Sequence, residues 1–195
     1  MDKQKALSYV KEKLTNGRFT HTIGVMETAV RLAEKYGADV KKAELAAIFH
    51  DVAKCMPIKE LKAIMEENEL SLKLLKYNKE LWHAPVGAFL TKHEYGIDDK
   101  EILRAIKYHT SGHKEMNLLD KIIYVADYIE PNRNFPGVEE ARELAEQNLD
   151  RALLFALKNT ITFLINKEQT VYPLTVKTYN SILKQVQSQG EQKNE

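Results

Sequence analysis

His50-Asp51 stands at the end of an apolar stretch, with Ala46-Ala47-Ile48-Phe49 before it and Val52-Ala53 after it. A carboxylate in such surroundings is costly to bury alone, so it coordinates a cation, forms an ion pair or takes up a proton. Imidazole beside carboxylate is a donor set for transition metals; the competing reading is a helix cap next to a core histidine. Further donors are spread along the chain at His21, His83, His109 and Asp127. Asp127 is the sharpest of them, because it lies inside the apolar run Ile122-Ile123-Tyr124-Val125-Ala126-Asp127-Tyr128-Ile129 and must be satisfied by something. A metal answers that demand, and a salt bridge from a Lys or Arg across a bundle is the alternative. His93, near a helix end, and His113, in Ser111-Gly112-His113-Lys114, read as solvated.

No short spacing links these donors, so tertiary structure must bring them together. Only 8 Gly and 5 Pro punctuate 195 residues, and apolar residues recur at intervals of three and four, which predicts a nearly all-helical chain. The first helix carries Leu7, Val10 and Leu14 and stops at Thr15-Asn16-Gly17; the second starts near Arg18, buries Ile23, Met26, Ala29, Val30 and Ala33, and ends at Gly37. The third starts near Asp39, is apolar around most of its girth and runs to just before Pro57. Further helices are predicted over 57–68, 71–77, 83–95, 98–109, 117–130, 138–146, 149–167 and 173–188. Asp98 with Glu101 reads as a capping box, and Asn117 with Asp120 as a weaker relative of it. Glu130 to Gly137 reads as a loop, and the polar tail from Gln185 is expected to fray. One domain is expected over 1–195, with its core at about 3–185. Separate helices that each turn a His or Asp inward are how helical bundles build metal sites.

Those donors, in the order His21, His50-Asp51 and Asp127 with His83 and His109 between, resemble the HD-domain phosphohydrolase superfamily. Lys54 completes His50-Asp51-Val52-Ala53-Lys54, an H-D-x-x-K string. Arg18-Phe19-Thr20-His21, Ala126-Asp127-Tyr128-Ile129-Glu130-Pro131-Asn132-Arg133 and Tyr172-Pro173-Leu174-Thr175 are similar to its YqeK group, the bacterial symmetrical diadenosine-tetraphosphate hydrolases. The resemblance implies an all-α HD-domain helical bundle, a metal held by His21, His50, Asp51 and Asp127, and iron as that metal. Two imidazoles and two carboxylates would by themselves accept Fe, Mn, Zn, Co or Ni. A cation there would acidify water and supply a nucleophile at neutral pH. In-line attack on a middle phosphorus would then split diadenosine tetraphosphate, a small-molecule dinucleoside polyphosphate, into two ADP.

The resemblance also implies roles around the phosphates. Asp51, Lys54, His83 and His109 would be catalytic, Lys54 lying one helical turn beyond His50 and projecting along the same side. His83 and His109 would donate hydrogen bonds to phosphate, or else hold a second metal. Arg18 and Arg133 would clamp phosphate or ribose, and Tyr172 and Pro173 would line a wall for adenine with Thr175 nearby. The rivals are an HD phosphohydrolase acting on a nucleoside monophosphate, a cyclic nucleotide or a guanosine alarmone, and a non-catalytic nucleotide-sensing helical domain.

Composition excludes other classes. Lys and Arg total 29 against 28 Asp and Glu, and the signs are interleaved, as in Lys11-Glu12-Lys13. Neither nucleic acid nor an anionic membrane finds a field to bind. No apolar run approaches the roughly 18 residues that cross a bilayer. The one cysteine, Cys55, cannot pair within the chain, and no secretory leader opens the sequence, so a cytoplasmic protein is expected. A homodimer is open on the general prevalence of symmetric dimers alone.

Overall fold

The computed structural model describes residues 1–191, which form ten α-helices, two short 3-10 helices and no strand. The helices are α1 (Lys3–Lys13), α2 (Asn16–Tyr36), α3 (Val40–Phe49), α4 (Ile58–Glu67), α5 (His83–His93), α6 (Lys100–Tyr108), α7 (Leu118–Ile129), α8 (Val138–Gln147), α9 (Leu149–Asn166) and α10 (Pro173–Glu191). Leu72–Lys76 and Lys79–Leu81 are 3-10 helices. The all-α architecture expected from the periodicity is the one found.

α3 lies at the centre, packed by α1, α2, α5, α6 and α7. Ala43, Ala46, Ala47, Ile48 and Phe49 are all fully buried, and the small alanines let the neighbouring helices come close. A second, smaller core of Ala53, Leu61, Met65, Leu74, Trp82, Val86 and Leu90 sits under α4 and α5, with Tyr172 packed on it. α8, α9 and α10 close the far side, α9 against α7 and α10 against α9.

The ends of the helices differ from expectation where side chains take over from periodicity. α2 starts at Asn16, because the Thr15 hydroxyl accepts the Arg18 N–H at 3.3 Å. It stops at Gly37, whose φ of 75° is the left-handed conformation that glycine adopts without strain. α3 ends at Phe49, well short of Pro57. Beyond it the chain tightens into successive three-residue turns, Val52 N–H to Phe49 O at 3.1 Å, Lys54 N–H to Asp51 O at 2.8 Å and Met56 N–H to Ala53 O at 3.1 Å. The segment expected as a helix over 71–77 is a 3-10 helix, entered through Ser71 at φ 48°.

The cap of α6 is Asp99, whose carboxylate accepts the Glu101 and Ile102 N–H groups, while Asp98 pairs with Lys92 at 2.8 Å. The reciprocal capping box belongs to Asn117 and Asp120 at the start of α7. Asn117→Ala removes it and is expected to cost about 1 kcal/mol, read as a shift of the urea midpoint at unchanged m-value.

α10 continues through Glu191, held by Lys121 to Gln185 at 3.0 Å and Gln189 to Asp150 at 2.8 Å. The segment from Gln185 to Glu191 is helical. The remainder of that expected tail, 192–195, lies outside the described residues.

Candidate active site

Five elements converge on one point. His21 is in the second turn of α2, His50 caps the C-terminus of α3 with Asp51 next to it, and His83 opens α5. His109 caps the C-terminus of α6, and Asp127 lies in the last turn of α7. The tight turns after α3 matter here, since they put the Asp51 carboxylate in the middle of the group. One of its oxygens, Oδ1, is 2.9 Å from His83 Nε2 and 3.6 Å from His109 Nε2. The other is 3.3 Å from His50 Nε2, 3.7 Å from His21 Nε2 and 2.9 Å from the Arg18 guanidinium. Asp127 Oδ1 is 3.1 Å from His21 Nε2 and 2.6 Å from Arg133 Nη2.

The hydrogen bonds on the far side of the rings set their tautomers. Nδ1 of His50 meets the Ala47 carbonyl at 2.6 Å, Nδ1 of His109 meets the Ile106 carbonyl at 2.7 Å, and Nδ1 of His21 meets Glu130 Oε1 at 3.0 Å. Carbonyl and carboxylate oxygens only accept, so each Nδ1 carries a proton and each Nε2 is the atom turned to the centre, where its lone pair serves a cation once it is free of a proton. His21 Nε2 and His50 Nε2 are buried there without a hydrogen-bond partner. Two free imidazole lone pairs beside two ionised carboxylates fit a transition-metal cation.

Ligand atoms of His21, His50 and Asp127 all lie within 4.8 Å of one another, as do those of His50, Asp51 and His109. The two groups share His50, so the structure gathers the four expected ligands and adds His109 to their rim.

Electrostatics keeps the carboxylates ionised. Burial alone would raise Asp51, but the charge of His50, the closeness of the His109 imidazole and the hydrogen bond from His83 hold it well below its ordinary value. For Asp127, burial is likewise outweighed by the adjoining His21 imidazole and the charges of Arg133 and His50, which hold it far below the usual carboxylate range. Burial pushes His83 down to about 4 despite its hydrogen bond to Asp51, so the ring is neutral at pH 7. Its Nε2 is also 3.1 Å from His109 Nε2. Because the His109 proton is on Nδ1, the proton between the two rings belongs to His83.

The remaining expected residues have partners of their own. Arg133 reaches Asp127 twice, through Nη2 to the carboxylate and through Nε to the main-chain carbonyl at 3.1 Å. Asp127 thus faces the cluster and also carries a salt bridge, supplied from the turn following its own helix rather than from across the bundle. Lys54 is not on a common helix with His50; its ammonium lies 2.9 Å from Glu80 in a partly exposed pair. Tyr172 stands edge-on to Tyr77, with ring centroids 5.0 Å apart. Pro173 is the first residue of α10, and Thr175 is buried, with its N–H on the Tyr172 carbonyl at 2.9 Å.

His93 is exposed and stacked on Phe89. His113 is half-buried rather than solvated: it packs on Tyr108, and its Nδ1 accepts the Glu115 N–H at 3.2 Å. The residue that sequence reading missed is Glu130, placed there in a loop. Its place in the quoted string Ala126 to Arg133, three residues after Asp127, is the signal that was available.

Residues 18–132 match the HD domain family. A Bacillus subtilis (strain 168) protein named "Bis(5'-nucleosyl)-tetraphosphatase, symmetrical" is 57% identical, over 92% of this chain and 97% of that one. A protein of the same name from Halalkalibacterium halodurans is 52% identical over 94% and 98%. A crystal structure from Clostridium acetobutylicum, described as a "predicted HD superfamily hydrolase involved in NAD metabolism", superposes with a TM-score of 0.90 at 40% identity, covering 95% of this chain and 98% of that one.

Proposed function

The chain belongs to the HD domain family, and from that premise we propose that it is a metal-dependent hydrolase that splits diadenosine tetraphosphate symmetrically into two ADP. The observation that carries the chemistry is the pair of buried, unpartnered Nε2 atoms of His21 and His50 turned toward Asp51 and Asp127. Symmetrical cleavage of a bis(5'-nucleosyl) tetraphosphate is the activity named in the B. subtilis and H. halodurans relatives, which match nearly the full chain, and adenosine as the nucleoside follows from the sequence resemblance. His21, His50, Asp51 and Asp127 hold the cation. By the sequence resemblance it is iron, and manganese, cobalt, nickel and zinc suit the same donors. A cation at this position supplies Lewis acidity and a nucleophile from water at neutral pH.

The protein's own residues position the polyphosphate. Charge in a transferring phosphoryl group spreads over the equatorial oxygens, so catalysis is placement plus electrostatic stabilisation. Arg18 and Arg133 border the cluster with their guanidinium groups on Asp51 and Asp127, where planar forks can also take phosphate oxygens. Lys54, on its partly exposed pair with Glu80, adds a third cation. His83 has an Nε2 proton to give. His109 Nε2 is an acceptor in the same network, which favours a second cation on His50, Asp51 and His109 over a hydrogen bond from His109 to phosphate. Tyr172 and Pro173, with Thr175 behind them, form the wall for one adenine.

Among the described residues no helix is long and apolar enough to cross a membrane, and we place the enzyme in the cytoplasm with its nucleotide substrate. Chromatography of products tests the reading. ADP alone is expected from diadenosine tetraphosphate, and an ATP-plus-AMP pair would remove the symmetric assignment. Faster turnover of a nucleoside monophosphate, a cyclic nucleotide or a guanosine alarmone would transfer the site to that substrate.

A further inference from the structure

Glu130 carries a carboxylate that is only 1% exposed, and burying such a group requires donors. It has three. Oε1 accepts from His21 Nδ1 at 3.0 Å, while Oε2 accepts the Asn132 main-chain N–H at 2.7 Å and the Asn132 side-chain amide at 2.9 Å. The nearby Arg142 guanidinium goes instead to the main-chain carbonyls of Ile129, Glu130 and Arg133, which fixes the backbone on which Glu130 stands. Gly24, one turn beyond His21 on α2, makes the room. A Cβ there would collide with Glu130 Oε2 and crowd Asn132 Nδ2. A glycine inside a helix is destabilising by roughly 0.5–1 kcal/mol relative to alanine, so its presence in α2 is explained by this close approach.

The far side of the His21 ring faces Asp127 at 3.1 Å and Asp51 at 3.7 Å. Two carboxylates near Nε2 would draw the single proton of a neutral imidazole onto Nε2, which removes the lone pair a metal needs. Glu130 is the opposing carboxylate that keeps the proton on Nδ1. Its second oxygen closes the turn in which the Arg133 N–H meets the Glu130 carbonyl at 2.9 Å, and that turn aims Arg133 at Asp127.

We propose that Glu130 is a positioning residue that serves both halves of the site: Oε1 sets the metal-binding tautomer of His21, and Oε2 folds the turn that presents Arg133 to substrate. This rests on His21 being a metal ligand.

The test is metal affinity of the full chain by chelator competition with Fe(II) and Mn(II), followed by kinetics at saturating metal. Outer-sphere partners of ligating histidines typically contribute about 10- to 100-fold in affinity, and Glu130→Ala is expected to lose that much. Glu130→Gln still offers an oxygen to His21 and should lose only a few fold. Gly24→Ala, which replaces neither a ligand nor a substrate contact, should weaken binding in the same direction by displacing Glu130.

At saturating metal, kcat of Glu130→Ala should recover while KM stays raised, because the turn carrying Arg133 remains loose. A general structural defect would not be rescued by metal in that split manner. His21→Ala is the control. If it binds metal as the unchanged protein does, the ligand reading fails and the Glu130 proposal falls with it. If His21→Ala loses metal while folded Glu130→Ala binds within twofold of the unchanged protein, the proposal alone is overturned. Should Glu130→Ala lose its helical circular dichroism, Gly24→Ala decides, and unchanged affinity there overturns the proposal.

Discussion

Asp51→Asn is expected to lower turnover of diadenosine tetraphosphate by on the order of 1,000-fold or more while leaving helical circular dichroism in place. Removing one preorganised stabiliser of transition-state charge costs about 10²–10³ in kcat, and Asp51 does more than one job. Its two oxygens meet His83, His109, His50, His21 and Arg18. Asparagine keeps the shape but withdraws the charge and turns an amide N–H₂ toward groups that need an acceptor. On the proposed reading the cation would lose a ligand, and Arg18 would lose its anchor.

The low pKa of Asp51 means that its charge also favours the folded state, and removing one partner of a buried pair is destabilising. The thermal midpoint measured without metal should therefore fall, with the fold retained at the assay temperature. Turnover within tenfold of the unchanged protein would remove Asp51 from the ligand set.

Metal removal is expected to have the second large effect. Dialysis against a chelator should abolish ADP release, and the ion that restores the fastest rate identifies the working metal; iron is expected to lead the series. In the stripped centre a proton takes over part of the cation's work. Burial opposes a charge on His50, but the charge and hydrogen bond of Asp51, with Asp127 behind it, push its pKa up. Binding metal then displaces that proton.

Stability should follow by mass action. A ligand present at 100 times its dissociation constant adds about 2.7 kcal/mol, which at roughly 2–4 °C per kcal/mol for a chain of this size is a shift of about 5–11 °C. Differential scanning calorimetry with and without chelator reads it directly. A chelated protein that keeps both its rate and its midpoint would end the metal-dependent reading.

The helical architecture was legible in the sequence because its signals are local. Apolar spacing of three and four residues placed all ten α-helices to within a few residues at most ends, and the apolar surroundings of Asp51 and Asp127 marked them as carboxylates in need of partners. Helix ends were less legible, because they are decided by which side chain reaches which N–H. Thr15 and Asp99 cap helices that periodicity alone starts elsewhere. The end of α3 is the consequential case. With no breaker ahead of Pro57 the helix was expected to continue past Asp51, whereas tight turns begin at His50 and carry Lys54 to Glu80 instead of along the His50 face.

By itself, then, the amino-acid sequence determined an all-helical chain and singled out histidines and carboxylates whose burial demands a shared partner. Only the tertiary structure decided which atoms face one another: that Glu130 stands behind His21, that His109 joins the expected ligands, and that Arg133 folds back onto Asp127. Periodicity records the face a residue occupies on its own helix. The meeting of helix ends depends on packing between segments far apart in the chain, where a clash at Gly24 would displace Glu130 and one extra turn at α3 would move Asp51 from the cluster.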